Sequence, residues 1–433
     1  MGRSYFTITE ITDLGPFITK LILPMTAIVK AAAVKPKCFS VHAERKNKKG
    51  EVLLLPKSWF DRDVTEPSKG YCTVKDAYPS SLDGERRKAG EYVTLELKLR
   101  PFDISSPIAA PEGMNEFVIT DFRITQIAEI PAEGEKLTGL IFDLHAGNTM
   151  KQTEKFVHGI SSYKDEPLKY GYFVPQTGNG RRPLIIWLHG GGEGGSDPTI
   201  AYAGNKVVNL AGDEIQAKFG GAYVLAPQTP TFWMNDGSGQ YGRTGKSKYG
   251  KALKALIDEF IDRNDAAIDT NRIYIGGCSN GGFMTMRMVL DYPDFFAAAY
   301  PVCEAMYDEV ISNADIEAIK HMPIWFIHSK DDLIVKPEET AVPTYERLIK
   351  AGAKNVHFSL FERVVDLHGL FKDEKGEPYT YNGHFSWVYV LNDDCRFDYD
   401  GKQPVVMDGK EVSLMAWLAM QRKKVDCLYS GKM

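Results

Sequence analysis

The fold of this chain is decided by the stretch IYIGGCSNGG, residues 273–282. Its apolar residues predict a short strand, and residues 281–291 after the turn predict a helix. Between the two elements, Gly277, Ser279 and Gly281 form the pattern Gly-x-Ser-x-Gly. A tight strand-to-helix turn needs residues without bulk two positions before and after the serine. The stretch therefore predicts a nucleophilic serine, Ser279, above the start of a helix whose dipole favours negative charge.

The sequence around this turn alternates apolar strands with amphipathic helices. Such alternation predicts an α/β fold with a mostly parallel sheet that is covered on both faces. The predicted strands cover residues 168–174, 183–188, 221–226, 272–275, 297–302, 323–328 and 356–360, and the last helix covers residues 414–422.

The first third of the chain predicts a different architecture. Its strands are short, rich in β-formers and separated by turn residues, at residues 5–11, 17–23, 38–43, 51–55, 92–99 and 117–124. This spacing favours an all-β sandwich of the immunoglobulin type. We therefore expect two domains, an immunoglobulin-like domain over residues 1–150 and an α/β-hydrolase domain over residues 151–433.

A carboxylate and a histidine should follow the serine in that order. The strand at residues 323–328 runs into Asp331 and Asp332, so either side chain can reach the site from the loop. We favour Asp332, because hydrolases of this class often show His-Gly-x-x-Asp-x-x-Val here. His328, Asp332 and Val335 keep that spacing, with Ser329 in place of the glycine. Asp331 is the alternative.

Three histidines follow as candidates for the general base. His384 lies in GHFSW, residues 383–387, after the last predicted strand and is our choice. His368 lies in an irregular insertion and is the alternative, whereas His357 lies within a strand, which favours a structural role. The predicted triad is therefore Ser279, Asp332 and His384.

A glycine-rich stretch, LHGGGEGG at residues 188–195, follows a buried strand and predicts an oxyanion hole. Glycines let backbone N–H groups approach a substrate oxygen. The first donor is expected from Gly191 or Gly192, between which the sequence does not choose. The second is the N–H of Asn280, the residue after the nucleophile.

Two glycine patterns resemble phosphate-binding sequences, but neither has the context that such a site needs. Residues 190–195 also satisfy Gly-x-Gly-x-x-Gly, but the next strand ends in Pro227-Gln228 rather than in an acidic residue. The stretch GRTGKS, residues 242–247, follows no strand and has Gln240 where a phosphate loop requires glycine. No metal motif is present, so we expect neither a cofactor nor a metal.

With these motifs in view, the chain resembles bacterial α/β-hydrolase esterases that carry an immunoglobulin-like N-terminal domain. The catalytic part is similar to prolyl oligopeptidases, dienelactone hydrolases, and feruloyl or polyhydroxybutyrate esterases. The matching pieces are residues 188–195, 224–228, 277–281, 328–335 and 383–387. The resemblance implies hydrolysis of short acyl esters, including acetyl or feruloyl esters of plant polysaccharide, and homo-oligomers formed through the β domain.

Three further side chains are expected near the substrate. Gln228 ends one of the matching pieces, Trp233 lies in the loop that follows it, and Glu304 follows the strand at residues 297–302. Phe232 and Trp233 are candidates for lining an acyl or aromatic pocket, and ordinary packing is an equally good interpretation of both. Two other functions also stay open: a serine peptidase of the prolyl oligopeptidase type, and a non-catalytic binding protein.

The composition of the chain limits the kinds of partner that we expect. The formal net charge of −5 over 433 residues gives no reason to expect a nucleic acid or an anionic membrane surface as a partner. No apolar stretch approaches the roughly 20 residues that span a bilayer, and residues 1–14 do not read as a signal peptide. We expect a cytoplasmic protein, or a secreted one whose leader has been removed. The six scattered cysteines predict no disulfide framework.

Overall fold

The computed structural model describes residues 2–56, 64–176, 180–399 and 403–423. The chain divides into two compact units. The first contains the chain up to Glu154 together with residues 203–206 and 368–378, and the second contains the remainder. The predicted domain limits of 1–150 and 151–433 stay predictions, because two short later segments group with the first unit.

The first unit is built from β-strands. They are β1 (Arg3–Thr12), β2 (Gly15–Lys30), β3 (Phe39–Lys46), β4 (Leu54–Pro56), β5 (Thr65–Pro67), β6 (Lys69–Cys72), β7 (Val74–Ser80), β8 (Ala89–Leu97), β9 (Ile108–Ala109), β10 (Glu116–Phe117), β11 (Ile119–Gln126), β12 (Ile130–Pro131), β13 (Lys136–Leu137) and β14 (Ile141–Thr149).

Eight of these strands form one sheet in the order β6-β3-β11-β14-β1-β2-β8-β7. All neighbours are antiparallel except β14 and β1, which are parallel. Leu21 and Val93 from one half of the sheet share a core with Val41 and Phe122 from the other half. The halves therefore face each other across a common core, and the predicted immunoglobulin-like sandwich is confirmed.

Three strands of that sheet, β6, β7 and β14, were not predicted. Strand β6 is a short edge strand that contains a glycine, and β7 contains Asp76 and Pro79. Strand β14 is largely exposed or half-buried, so its sequence has little apolar alternation. The predicted strand at 51–55 corresponds to β4, which pairs with β5 outside the large sheet.

The second unit alternates strands and helices. Its strands are β15 (Phe156–Ile160), β16 (Lys169–Phe173), β17 (Arg182–Leu188), β18 (Tyr223–Gln228), β19 (Ile268–Cys278), β20 (Ala298–Val302), β21 (Ile324–Ser329), β22 (Val356–Phe361), β23 (Phe397–Asp398), β24 (Gln403–Pro404), β25 (Val406–Met407) and β26 (Lys410–Glu411). The α-helices of the described chain are α1 (Pro198–Ala203), α2 (Asp213–Phe219), α3 (Gly250–Arg263), α4 (Asn280–Asp291), α5 (Asn313–Ile319), α6 (Ala341–Lys350), α7 (Trp387–Leu391) and α8 (Leu414–Met420).

The eight long strands of this unit form a sheet in the order β15-β16-β18-β17-β19-β20-β21-β22. The strands from β18 to β22 run parallel, and β15 and β16 add an antiparallel edge. The predicted α/β-hydrolase fold is confirmed. Since parallel strands end at the same edge of a sheet, the segments that follow β17, β19 and β21 meet there.

Two negative findings concern the described residues alone. None of the helices in residues 2–56, 64–176, 180–399 and 403–423 is long and apolar enough to cross a membrane. The five cysteines within those ranges form no disulfide, and Cys427 lies outside them.

Candidate active site

Ser279 stands at the turn between β19 and α4. Its backbone has φ 56° and ψ −113°, a left-handed conformation that a non-glycine residue rarely adopts. A Cβ atom added to Gly277 would lie 2.4 Å from the carbonyl oxygen of Leu188, and one added to Gly281 would lie 2.0 Å from the same oxygen. The two flanking glycines are therefore required by the close approach of the end of β17, as the motif predicted.

His384 connects the serine to a carboxylate. Its Nε2 lies 2.9 Å from the Ser279 Oγ, and its Nδ1 lies 2.7 Å from the Asp332 Oδ2. A short helical turn, Gly383–Phe385, carries the histidine, and the Asn382 side chain caps it by accepting the His384 backbone N–H. The ring of Trp387 meets the imidazole edge to face. The structure thus brings the three predicted triad residues together. Hydrogen bonds connect Ser279 to His384 and His384 to Asp332.

Asp332 accepts hydrogen bonds from four donors. Its Oδ1 accepts the backbone N–H groups of Ile334 and Val335, each at 2.9 Å. Its Oδ2 accepts from His384 and from His328, the latter at 3.0 Å. Burial opposes the charge, but the donors from His328 and His384 outweigh it and hold the pKa of this carboxyl well below its usual range. Asp332 is therefore ionised at neutral pH and able to stabilise an imidazolium.

The other candidates for the acid and the base do not take part in this series of hydrogen bonds. Asp331 accepts a short hydrogen bond from the Ser329 hydroxyl and packs against Gly383. His357 lies on β22 and pairs through Nδ1 with Asp398 at 2.7 Å, as expected of a structural histidine. His368 belongs to the segment 368–378, which groups with the first unit.

His328 is a further buried side chain that contacts Asp332, and the sequence did not indicate this contact. It lies at the end of β21 and is fully buried. Its Nε2 faces two acceptors, the Asp332 Oδ2 and the Val335 carbonyl oxygen at 2.9 Å, so this nitrogen carries the proton and donates. The only signal in the sequence was its spacing of four residues from Asp332. We assign His328 as a positioning residue that orients the acid.

The exchange His328→Phe is expected to lower kcat about tenfold, because Asp332 loses a donor that orients its carboxylate towards His384. With one donor fewer, the Asp332 carboxylate holds the His384 imidazolium more strongly. The acid limb of the kcat/KM profile should therefore move to higher pH.

The matched variant is His328→Gln, whose amide can still donate to Asp332. It should keep the acid limb closer to that of the unchanged protein. A His328→Phe protein that is less stable but has an unshifted pH profile would show that His328 only fills space.

The predicted oxyanion loop follows β17 as a short helical turn, Gly191–Glu193. His189 is buried before it and accepts the Thr229 backbone N–H at its Nε2. The Gln228 Nε2 donates to the Glu193 carbonyl oxygen at 3.0 Å, which ties the loop to the end of β18. Asn280 is the first residue of α4, so its N–H has no partner within the helix. Donation from Gly191, Gly192 and Asn280 to a substrate oxygen stays a prediction.

The three side chains expected near the substrate are all at most 1% exposed. Gln228 is used to hold the oxyanion loop. Trp233 packs against the rings of His189 and Tyr249. Glu304 lies behind the first turn of α4, where a Cβ atom on Gly282 would be 2.7 Å from the Glu304 Cα. Their contact with substrate stays a prediction.

Glu304 is a buried carboxyl group at the end of β20. Its Oε2 accepts the Met306 backbone N–H at 2.7 Å. Its Oε1 has no hydrogen-bond partner among the described residues. Burial raises the pKa of Glu304 to about 8, although the Met306 N–H partly opposes the rise. The group is therefore mostly protonated at neutral pH in the folded protein and ionised in the unfolded chain.

Since the folded state binds this proton more tightly, the contribution of Glu304 to stability is full below about pH 4.5 and is lost as the pH rises towards 8. Each pH unit in this window is worth about 1.4 kcal/mol. The Glu304→Gln variant should therefore gain several kcal/mol in the free energy of unfolding, relative to the unchanged protein, between pH 5 and 8. Urea unfolding at four pH values measures this, and parallel curves for the two proteins would contradict it.

Comparisons with known proteins agree with the fold. Residues 4–139 match the esterase Ig-like N-terminal domain, and residues 231–308, which include Ser279, match the prolyl oligopeptidase family. The crystal structure of a thermostable esterase superposes with a TM-score of 0.70 at 24% identity and covers 97% of this chain and 99% of that chain.

Two sequence relatives are polymer depolymerases. The chain is 32% identical over 135 residues to a poly(3-hydroxybutyrate) depolymerase of Ralstonia pickettii, a match that covers 29% of this chain and 27% of that protein. It is 29% identical over 152 residues to the poly(3-hydroxyalkanoate) depolymerase C of Paucimonas lemoignei, covering 34% of each. The chain thus spans about a third or less of the length of these relatives.

Proposed function

We propose that this chain, which has an α/β-hydrolase fold and matches the esterase Ig-like N-terminal domain over residues 4–139, is a serine carboxylesterase. It hydrolyses short-chain acyl esters through an acyl-enzyme intermediate. The hydrogen-bonded series Ser279–His384–Asp332 carries the proposal. Acetyl or feruloyl esters of plant polysaccharide are the natural substrates that we favour.

The geometry supports a two-step reaction. The Ser279 Oγ attacks the ester carbonyl carbon while the His384 Nε2 takes the hydroxyl proton. Asp332 stabilises the resulting imidazolium, and the N–H groups of Asn280 and of Gly191 or Gly192 bind the oxyanion. The imidazolium then returns the proton to the leaving alcohol. Water, activated by the same imidazole, hydrolyses the acyl-serine and restores the enzyme.

The test combines turnover with labelling. We expect hydrolysis of p-nitrophenyl acetate and butyrate, with lower kcat/KM for the octanoate. A fluorophosphonate should add one label, and peptide mapping should place it on Ser279. Absence of both turnover and label would contradict a serine hydrolase and favour a binding protein.

A serine peptidase is the second candidate, because the region around Ser279 matches the prolyl oligopeptidase family. The same triad serves amide hydrolysis. Cleavage of a proline-containing dipeptide anilide with a kcat/KM above that of p-nitrophenyl acetate would favour the peptidase. Label on Ser279 with ester turnover alone would favour the esterase.

A further inference from the structure

One buried segment connects the two loops that are expected to supply the oxyanion donors. It covers residues 228–234, begins at the last residue of β18, and is called the brace below. Its side chains Gln228, Thr229 and Trp233 are each at most 1% exposed. In the sheet, β17 lies between β18 and β19, so the brace must pass the end of β17 to reach Asn280.

The first half of the brace is bonded to the oxyanion loop. The Thr229 backbone N–H donates to the His189 Nε2 at 3.1 Å, and the Thr229 carbonyl oxygen accepts the Gly195 N–H at 2.8 Å. The Gln228 Nε2 donates to the Glu193 carbonyl oxygen at 3.0 Å. These bonds hold the loop on both sides of the two glycines that are expected to donate, so they fix the loop to the brace.

The second half of the brace is bonded to the nucleophile turn. The Asn280 Oδ1 accepts the backbone N–H of Trp233 in a short hydrogen bond and that of Met234 at 3.3 Å. Because two donors face this atom, it is the oxygen and not the nitrogen of the amide. A neutral amide accepts both bonds without placing a negative charge beside the oxyanion that is expected at the backbone N–H of the same residue.

The connection matters because an oxyanion hole acts through the positions of its donors. Each donor must lie about 2.7–3.1 Å from the oxygen on which charge develops. A displacement of about 1 Å can lower a rate about a hundredfold. The two expected donors lie on loops that follow different strands, β17 and β19, and the bonds of the brace restrain the distance between these loops.

We infer that the brace sets the separation of the two oxyanion donors, and that the Asn280 side chain is the positioning residue that attaches the brace to the nucleophile turn. The effect on turnover rests on the proposed esterase function. The restraint that the brace places on the oxyanion loop does not depend on that function and can be measured without a substrate.

The experiment compares Asn280→Ala with Asn235→Ala as the matched control. Asn235 is also buried, and its Oδ1 also accepts two backbone N–H groups, those of Gly237 and Gly239. In the described chain, the bonds of this side chain stay within the segment that follows β18. Both variants therefore lose the same kind of side chain, but only Asn280→Ala separates the brace from the nucleophile turn.

We expect Asn280→Ala to lower kcat for p-nitrophenyl acetate about ten- to a hundredfold. KM should stay within about threefold, because the oxyanion forms only in the transition state. In Asn235→Ala, kcat should stay within about threefold, because the donors keep their positions. The value of kcat is taken per site labelled by a fluorophosphonate at completion, so that a poorly folded preparation is not mistaken for a slow enzyme.

Hydrogen exchange tests the restraint directly. In Asn280→Ala, the backbone amides of residues 190–195 should exchange about tenfold faster, because the loop loses its connection to the nucleophile turn. Asn235→Ala should leave this exchange unchanged. Unchanged exchange in Asn280→Ala would overturn the inference, and so would equal losses of kcat per labelled site in the two variants.

Two further variants complete the test. Asn280→Asp keeps an acceptor for both N–H groups, so residues 190–195 should exchange as in the unchanged protein, although its charge lowers kcat. If Asn280→Ala does not fold, Gln228→Ala releases the other end of the brace and should speed the same exchange. Fast exchange in Asn280→Asp, or none in Gln228→Ala, would contradict the brace.

The outcomes separate this inference from the proposed function. An unchanged protein that neither hydrolyses p-nitrophenyl acetate nor takes up the fluorophosphonate would contradict the esterase. In that case the exchange of residues 190–195 still decides whether the brace restrains the loop. An active esterase in which Asn280→Ala and Asn235→Ala behave alike would keep the proposed function and reject the brace.

Discussion

Replacing Ser279 by alanine is expected to lower kcat for ester hydrolysis by about five orders of magnitude. Loss of the nucleophile removes the acyl-enzyme route and leaves only the acceleration that the oxyanion hole and binding provide. The distance of 2.9 Å between the Ser279 Oγ and the His384 Nε2 supports this hydroxyl as the proposed nucleophile. The steady-state rate of p-nitrophenyl acetate hydrolysis measures the change. The enzyme concentration must be high enough to detect the remaining activity.

Two controls accompany this result. The thermal unfolding midpoint of Ser279→Ala should stay close to that of the unchanged protein, because alanine keeps the same turn and removes no buried packing. The variant should also take up no fluorophosphonate. A Ser279→Ala protein that retains more than a hundredth of the activity would place the nucleophile elsewhere.

Replacing Asp332 by asparagine is expected to lower kcat about ten-thousandfold. The amide carries no charge to stabilise the imidazolium, and its NH2 group favours the wrong tautomer of His384. The loss should be large in kcat and smaller in KM, because the substrate does not touch this residue.

Asp331→Asn is the matched control, since it makes the same chemical change one position earlier. Asp331 accepts from Ser329 and not from His384, so this variant should keep kcat within tenfold. An Asp331→Asn variant that is as inactive as Asp332→Asn would contradict the assignment of the acid.

The elements of the candidate site were predictable because the proposed chemistry constrains their neighbours. Gly277 and Gly281 are required by the Leu188 carbonyl oxygen, and this requirement is visible as a motif. The order of serine, acid and histidine follows from the order of the parallel strands, so Asp332 and His384 could be placed by position. The choice between Asp331 and Asp332 depended on spacing alone.

Features that depend on how loops pack could not be read from the sequence. His328 was noted only for its spacing, since its bond to Asp332 exists only once the turn after β21 is folded. Phe232 and Tyr241 are nine residues apart in an irregular segment, where no periodicity indicates a stack. Strand β14 was missed because parallel pairing with β1 stabilises a sequence that has little apolar alternation.

The left-handed backbone of Ser279 also sets a limit on how this protein can be made more heat-resistant. Such a conformation costs of the order of 1–3 kcal/mol in a non-glycine residue, a sizeable part of the roughly 5–15 kcal/mol that keeps a typical domain folded. Glycine would adopt it without that cost, but glycine is not a nucleophile. Selection for folding stability alone would therefore favour glycine at position 279, whereas selection for the proposed turnover favours serine.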